Sequence, residues 1–268
     1  MKGNSGCSLE SNKDFVTKSA TGKYAARLKE QCYKQKSFLK TELKNYDILA
    51  VPVTKIVEDK EDSFSFEMYR SRGKTLAELI KESPCEKVAE DLCEFLYRNK
   101  QPSLILNAFE KLDKKLWDLE HTLPEEYVAD IDVFRSKCFD KLVSCAGGYC
   151  HGDFTLENIL ISGRQIQLID FLDSFMESPL MDFSTILQDS KCHWSYRYEE
   201  LTVAEKANIE SFNDIIEKFL NEKGLYPTVL AFLLLKLYRI VPYTKDDETK
   251  EWLKVNIDSI KKELYSKC

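Results

Sequence analysis

Apolar positions change their period along this chain, and the changes mark out its elements. In the first seventy residues they fall in short runs, 15–18, 48–57 (ILAVPVTKIV) and 63–69 (SFSFEMY), which read as strands. Between the first two, Ala25, Leu28, Cys32, Leu39 and Leu43 recur at roughly helical spacing and predict a helix over 25–43, with Gln35 and Lys36 filling the turn between. The acidic segment 58–62 predicts a turn, and Pro52 makes the strand at 48–57 an edge strand or delays its start until after the proline. From Thr75 the period is helical. Thr75 with Glu78 three residues on forms a capping box, and further amphipathic stretches follow at 85–97, 108–119, 127–143, 180–187, 203–220, 227–238 and 251–264. One segment interrupts them: two apolar runs, 159–161 and 166–169, flank Ser162-Gly163-Arg164 and predict a β-hairpin. The expectation is an α+β chain, a mixed lobe over 1–70 and a helical lobe over 71–268 carrying the hairpin, with a site between them.

Composition narrows the class. At 268 residues with 43% apolar content the chain is long enough for one large core or two modest lobes. The net charge of −6 argues against a nucleic-acid partner, which calls for a basic face. Nine cysteines, an odd number without a C-x-x-C pair or a signal peptide, read as reduced thiols in a cytoplasm. The longest apolar run, 229–235, is far short of the roughly 20 residues of a membrane span and reads as a core helix.

The chemistry concentrates around the hairpin. His151, Asp153 and Asn158 stand in the order H-x-D-x-x-x-x-N, and Asp170 closes the second apolar run. Phosphoryl transfer needs an acceptor hydroxyl held in line and divalent metal on the donor phosphates, and kinases place the residues for both in this order. Asp153 suits the hydroxyl. A hairpin brings Asn158 and Asp170 to one end, where two hard oxygen donors suit Mg²⁺ bridging nucleotide phosphates. His151 is assigned to holding the loop. Near the N-terminus, the small residues from Gly3 to Ser8, with Ser5 and Gly6 among them, allow backbone N–H groups to approach phosphates.

The run HGDFTLENIL followed by LIDF resembles the catalytic core of the aminoglycoside phosphotransferase and choline kinase family, small-molecule kinases with a protein-kinase-like fold. Protein kinases share the spacing, but usually carry Arg after the His, Lys two residues after the Asp and Gly two residues after the metal Asp. This chain has Gly152, Thr155 and Leu172 there. The later SPLMDFSTILQD, with Asp182, resembles the family segment whose Asp braces the catalytic loop.

The resemblance implies an ATP-dependent (or other nucleoside-triphosphate-dependent) transfer to a hydroxyl of a small molecule, a sugar or sugar derivative. Alternatives are an aminoglycoside or amino-alcohol kinase, a Ser/Thr protein kinase and a catalytically inactive regulator. It implies that Ser5 and Gly6 cover the nucleotide, that Lys18 in "VTK" pairs with its phosphates, and that an acid on the following helix orients that Lys. Glu30 is the obvious acid, while the distance to the next strand favours Gln35. Glu67, Met68 and Tyr69 are expected to line the adenine. Acceptor specificity is expected from residues 173–243, where Asp173, Arg197 and Arg239 are candidates; cationic acceptors call for acids or aromatic cages and anionic ones for Arg, and this stretch holds both.

Overall fold

Along Ser63–Tyr69 the apolar Phe64, Phe66 and Met68 take alternate positions and turn to one buried face. The first core forms on that face. A computed structural model describes residues 6–267, and its first elements are β1 (Ser8–Ser11), β2 (Phe15–Thr21), α1 (Lys23–Ser37), β3 (Thr41–Glu42), β4 (Asp47–Ala50), β5 (Val53–Lys60), β6 (Ser63–Tyr69) and β7 (Lys74–Thr75). An antiparallel sheet in the order β1-β2-β6-β5 carries that face. Against it α1 packs Ala25, Leu28 and Cys32, with Val51 and Ile169 closing the cluster.

Three boundaries differ from the sequence expectation. The helix ends at Ser37, not at 43: Phe38 turns extended (φ −65°, ψ 126°) with its N–H bonded to Gln35 O, which carries Leu39 off the helical face and leaves it 82% exposed. The run at 48–57 is two strands. Pro52 lacks an N–H to continue a ladder, and the chain changes sheet there, Val51 N–H donating to Leu168 and Tyr69 N–H to Pro52. The acidic segment at 58–62 is mostly strand, since two register shifts along β5 keep it paired with β6 as far as Lys60.

The second sheet holds the chemistry, in the order β3-β4-β11-β10-β7, where β10 is Ile159–Ser162 and β11 is Gln165–Leu168. These two form the expected hairpin. Ile159 faces Leu168 and Ile161 faces Ile166 in register, and Gly163 takes a left-handed φ of 57° in the turn. β4 runs parallel to β11 and β7 antiparallel to β10, which ties the hairpin to the N-terminal residues. The described residues up to Leu79 and His151–Asp173 accordingly form one compact unit. At its edge α2 (Leu76–Glu82) starts with the capping box, Glu78 N–H donating to Thr75 Oγ1 (3.1 Å) and Thr75 N–H to Glu78 Oε2 (3.0 Å).

The second unit, Ile80–Cys150 with the chain from Ser174 onward, is helical. It contains α3 (Glu86–Arg98), α4 (Ala108–Glu120), α5 (Glu125–Val143), α6 (Pro179–Ser190), α7 (Val203–Glu222), α8 (Tyr226–Ile240) and α9 (Asp247–Tyr265), with one short strand pair, β8 (Lys100–Leu104) and β9 (Ala146–Gly148). Residues 229–235 of α8 are all buried, and α6 and α9 pack around them. Among the described residues no helix is long and apolar enough to cross a membrane.

Candidate active site

All four residues of the predicted centre lie in the first unit. Pairing of the hairpin continues one step beyond its strands, Ile169 N–H donating to Asn158 O (3.2 Å), so Asn158 and Asp170 stand at the same end. Asn158 Nδ2 donates to Asp153 O (2.9 Å) and to Asp153 Oδ2 (3.1 Å). That bond fixes the Asp153 carboxylate, and with the amide nitrogen engaged, Asn158 Oδ1 is the atom left for a cation. Asp170 has a φ of 63°, a left-handed conformation uncommon outside glycine and concentrated at functional sites. Lys18 Nζ, on the buried face of β2, donates to Asp170 Oδ1 at 2.5 Å. The sequence placed these residues in one centre, and the structure brings them together.

Beneath this centre sits His151, 2% exposed. Its Nε2–H donates to Ile169 O (2.8 Å) and its Nδ1 accepts from the Asp153 N–H (3.2 Å), which defines a neutral tautomer. The rings of Phe171 and Phe154 lie 4.2 Å and 5.5 Å away. Burial pushes the imidazole pKa down to about 3 from 6.5, against the raising effect of its backbone bonds. The ring thus links the segments before Asp153 and Asp170. The unfolded chain takes up this proton below about 6.5 and the folded chain does not. The contribution of the neutral ring is thus full above pH 6.5 and is lost as the pH falls toward 3. Urea midpoints at pH 7 and pH 5 measure this: His151→Gln is expected to show a shallower decline than the parent, and equal declines would contradict it.

Gly152 holds the same junction. With φ of 90°, its missing Cβ would stand 2.1 Å from Leu172 O, while Leu172 N–H donates to His151 O (2.9 Å). Gly152→Ala is expected to cost about 2–4 kcal/mol, combining left-handed strain with a backbone clash. An unchanged denaturation midpoint would contradict this.

The helix α1 meets the segment after Asp170 by a route the sequence did not indicate. Lys34 Nζ donates to Leu172 O (2.7 Å). Glu30, one turn earlier on the same face, hydrogen-bonds the Asp173 carboxyl; that bond, then burial, then the Asp173 charge hold Glu30 above the usual carboxylate range. Gln35 donates to Val51 O (2.6 Å) and reaches Met68 Sδ (3.5 Å). Lys18 thus pairs with Asp170, while Glu30 and Gln35 bind elsewhere. The only advance signal for Lys34 was its spacing of four from Glu30.

Met68 is 5% exposed inside the first core, whereas Tyr69 is 53% exposed and stacks on Phe15 at 5.5 Å. Glu67 accepts from Thr54 Oγ1 (2.9 Å). Gly6 has a φ of 74° and lies against the Tyr24 ring, and Ser5 falls outside the described residues.

A profile of the phosphotransferase enzyme family, APH, matches residues 11–208. The chain belongs to this family. Among solved structures, a thermostable mutant of aminoglycoside phosphotransferase APH(4)-Ia in ternary complex with AMP-PNP and hygromycin B is 14% identical, over 95% of this chain and 92% of that one, at a TM-score of 0.63. The GDP complex of wild-type aminoglycoside 2'-phosphotransferase-IIIa is 13% identical, over 98% and 90%, at 0.59. A glucosamine kinase is 13% identical, over 93% and 71%, at 0.50. These likenesses establish the kinase-like α+β fold. No curated protein matches the sequence.

The acceptor candidates of the phosphotransferase lie in both units. Asp173 is exposed and bound to Glu30, as described. In the helical unit, the Arg197 guanidinium lies 3.8 Å from the Trp194 ring centre and 4.3 Å from that of Tyr198, with one N–H donated to Trp194 O (2.8 Å). Arg239 ends α8 over the Phe175 ring. Asp182 is buried in the first turn of α6.

Proposed function

We propose that this phosphotransferase transfers the γ-phosphoryl group of ATP, or of another nucleoside triphosphate, to a hydroxyl of a small molecule such as a sugar or sugar derivative. The observation that carries this reading is the single cluster of Asp153, Asn158, Asp170 and Lys18 around the end of one hairpin. The similar structures with AMP-PNP and with GDP support a nucleotide donor. In this reading residues 1–70 cover the nucleotide and 71–268 hold the acceptor. The described cysteines are free thiols, which supports a reducing, cytoplasmic compartment.

The donor set fits Mg²⁺. Among the described residues no group of three or more His, Cys, Asp or Glu could hold a metal, but Mg²⁺ shared with phosphates takes only one or two protein ligands and completes its shell with phosphate oxygens and water. Asn158 Oδ1 and the Asp170 carboxylate would hold it. When bound it neutralises charge on the donor phosphates. Asp153 orients the acceptor hydroxyl and takes its proton at Oδ1 or Oδ2. Lys18, beside Asp170, is placed to bind a phosphate oxygen as a point charge. His151 keeps Asp153 in place through the N–H bond to its own Nδ1.

Lys18→Ala is expected to weaken ADP binding by roughly tenfold, the worth of one charge-assisted hydrogen bond; unchanged affinity by calorimetry would remove Lys18 from the nucleotide site. The reading as a whole is tested by ATP consumption over sugars, sugar phosphates, amino alcohols, aminoglycosides and generic protein substrates. Acceptor-dependent turnover on a small molecule is expected. Transfer to protein alone, or tight ATP binding without transfer to anything, would contradict it.

A further inference from the structure

The helical unit brings two cations together without a counter-ion. Lys115 on α4 and Arg239 in the last turn of α8 approach the same aromatic ring, that of Phe175, with Nζ 5.8 Å and Cζ 5.5 Å from its centre. Phe175 is five residues after Asp170 in the sequence. Three half-buried cations of this unit are neutralised: Lys191 by Glu217 (2.9 Å) and Glu263 (3.0 Å), Lys261 by Asp130 (2.7 Å), Arg135 by Glu120 (3.0 Å) and Asp113. Among the described residues neither Lys115 nor Arg239 has an ion pair within 4.0 Å or a hydrogen bond from its side chain. Asp118, one turn after Lys115, favours its protonated form through space but is not in ion-pair contact.

Both cations line a cavity of about 300 Å³, together with Trp117, Asp118, His121 and Tyr243. Burial holds the Arg239 guanidinium below its ordinary value, and burial followed by the Arg239 charge does the same for Lys115. Two like charges withdrawn from water beside one cavity are unfavourable unless an anion joins them. At the edge of the cavity Trp117 is 55% exposed, with the His121 ring 4.1 Å from it and tilted by 32°, and Tyr243 is 82% exposed. Such rings offer flat apolar faces next to the charges.

We propose that this cavity binds the anionic group, carboxylate or phosphate, of a hydroxylated small molecule, with Arg239 and Lys115 as counter-charges and Trp117 and Tyr243 against its carbon face. The binding site does not rest on the kinase reading above: it favours a sugar acid or sugar phosphate, and polycations are disfavoured there.

The test is calorimetry on the full chain with saturating ADP and Mg²⁺, so that the nucleotide site is filled, using gluconate, glucose 6-phosphate, glucose and glucosamine as probes. The anionic probes are expected to bind at least about tenfold more tightly than glucose. Preference for gluconate identifies a carboxylate, and preference for glucose 6-phosphate a phosphate. Arg239→Gln and Lys115→Gln are each expected to weaken the anionic probes about tenfold, while Lys114→Gln, exposed on the same helix, leaves them unchanged. Arg239→Lys, which keeps the charge, is expected to recover most of the affinity and guards against misfolding. Equal affinity for glucose and the anions, preference for glucosamine, or anion binding insensitive to both Gln variants would overturn the proposal. ADP binding to the parent chain, measured in the same series, keeps the two readings apart: bound ADP without anion binding overturns this site alone, and absent ADP binding overturns the kinase reading alone.

Discussion

Asp153→Asn is expected to lower kcat by roughly 10²–10⁴-fold, the usual worth of a general base, with ADP affinity changed by less than about twofold. The substitution preserves shape, and the new amide can still present its oxygen to Asn158 Nδ2, which now donates to Asp153 Oδ2 at 3.1 Å. The loop stays in place because its brace is independent of that carboxylate: the Asp153 N–H bonds the His151 ring, and the ring bonds Ile169 O at 2.8 Å. What disappears is the negative charge that, in the proposed mechanism, orients a hydroxyl and accepts its proton. Lys18, the residue assigned to the phosphates, bonds Asp170 and is untouched. Steady-state kinetics with calorimetry separates the two effects. A loss of only about two- or threefold in kcat would move the base elsewhere.

Asp170→Asn is expected to abolish measurable Mg²⁺-dependent turnover, with a loss on the order of 10³-fold or more, because in the proposed reading several kcal/mol of charge stabilisation on the phosphates would pass through that carboxylate. Asn is the informative replacement. At a φ of 63° Asn is among the best tolerated residues, whereas Asp170→Ala adds about 1–2 kcal/mol of backbone strain to the loss of charge. The variant also removes the anion from Lys18, whose side chain is only 10% exposed, so its thermal stability should fall slightly as well. Titrating Mg²⁺ against turnover measures the effect, and near-normal turnover would exclude Asp170 as the metal residue.

The catalytic segment was legible because its geometry is local. A two-residue turn and matched apolar runs fix which end of the hairpin Asn158 and Asp170 share, and this needs nothing from the rest of the chain. The capping box at Thr75 and Glu78 and the buried run of α8 were legible for the same reason. Where distant segments meet, the sequence was silent. The pairing of β4 with β11 joins positions over a hundred residues apart, and only Pro52 hinted at the break. The partner of Lys18 was sought on α1, where Glu30 has helical spacing in its favour; in the fold Glu30 is bound by Asp173, and Lys18 reaches Asp170. The Lys115 and Arg239 pair comes from two helices with no common motif, so no pattern in either could announce it.

The measurement that bears most directly on the clustered site is detection of the product itself. The parent chain and Asp153→Asn are incubated with ATP, Mg²⁺ and an acceptor panel of sugars, sugar acids and amino alcohols, and phosphate esters are followed by phosphorus NMR. The parent is expected to form an ester of a small-molecule hydroxyl, and Asp153→Asn, with ADP binding intact, to form none on the same time scale. Undiminished ester formation by Asp153→Asn would contradict the assignment of the reaction to this cluster.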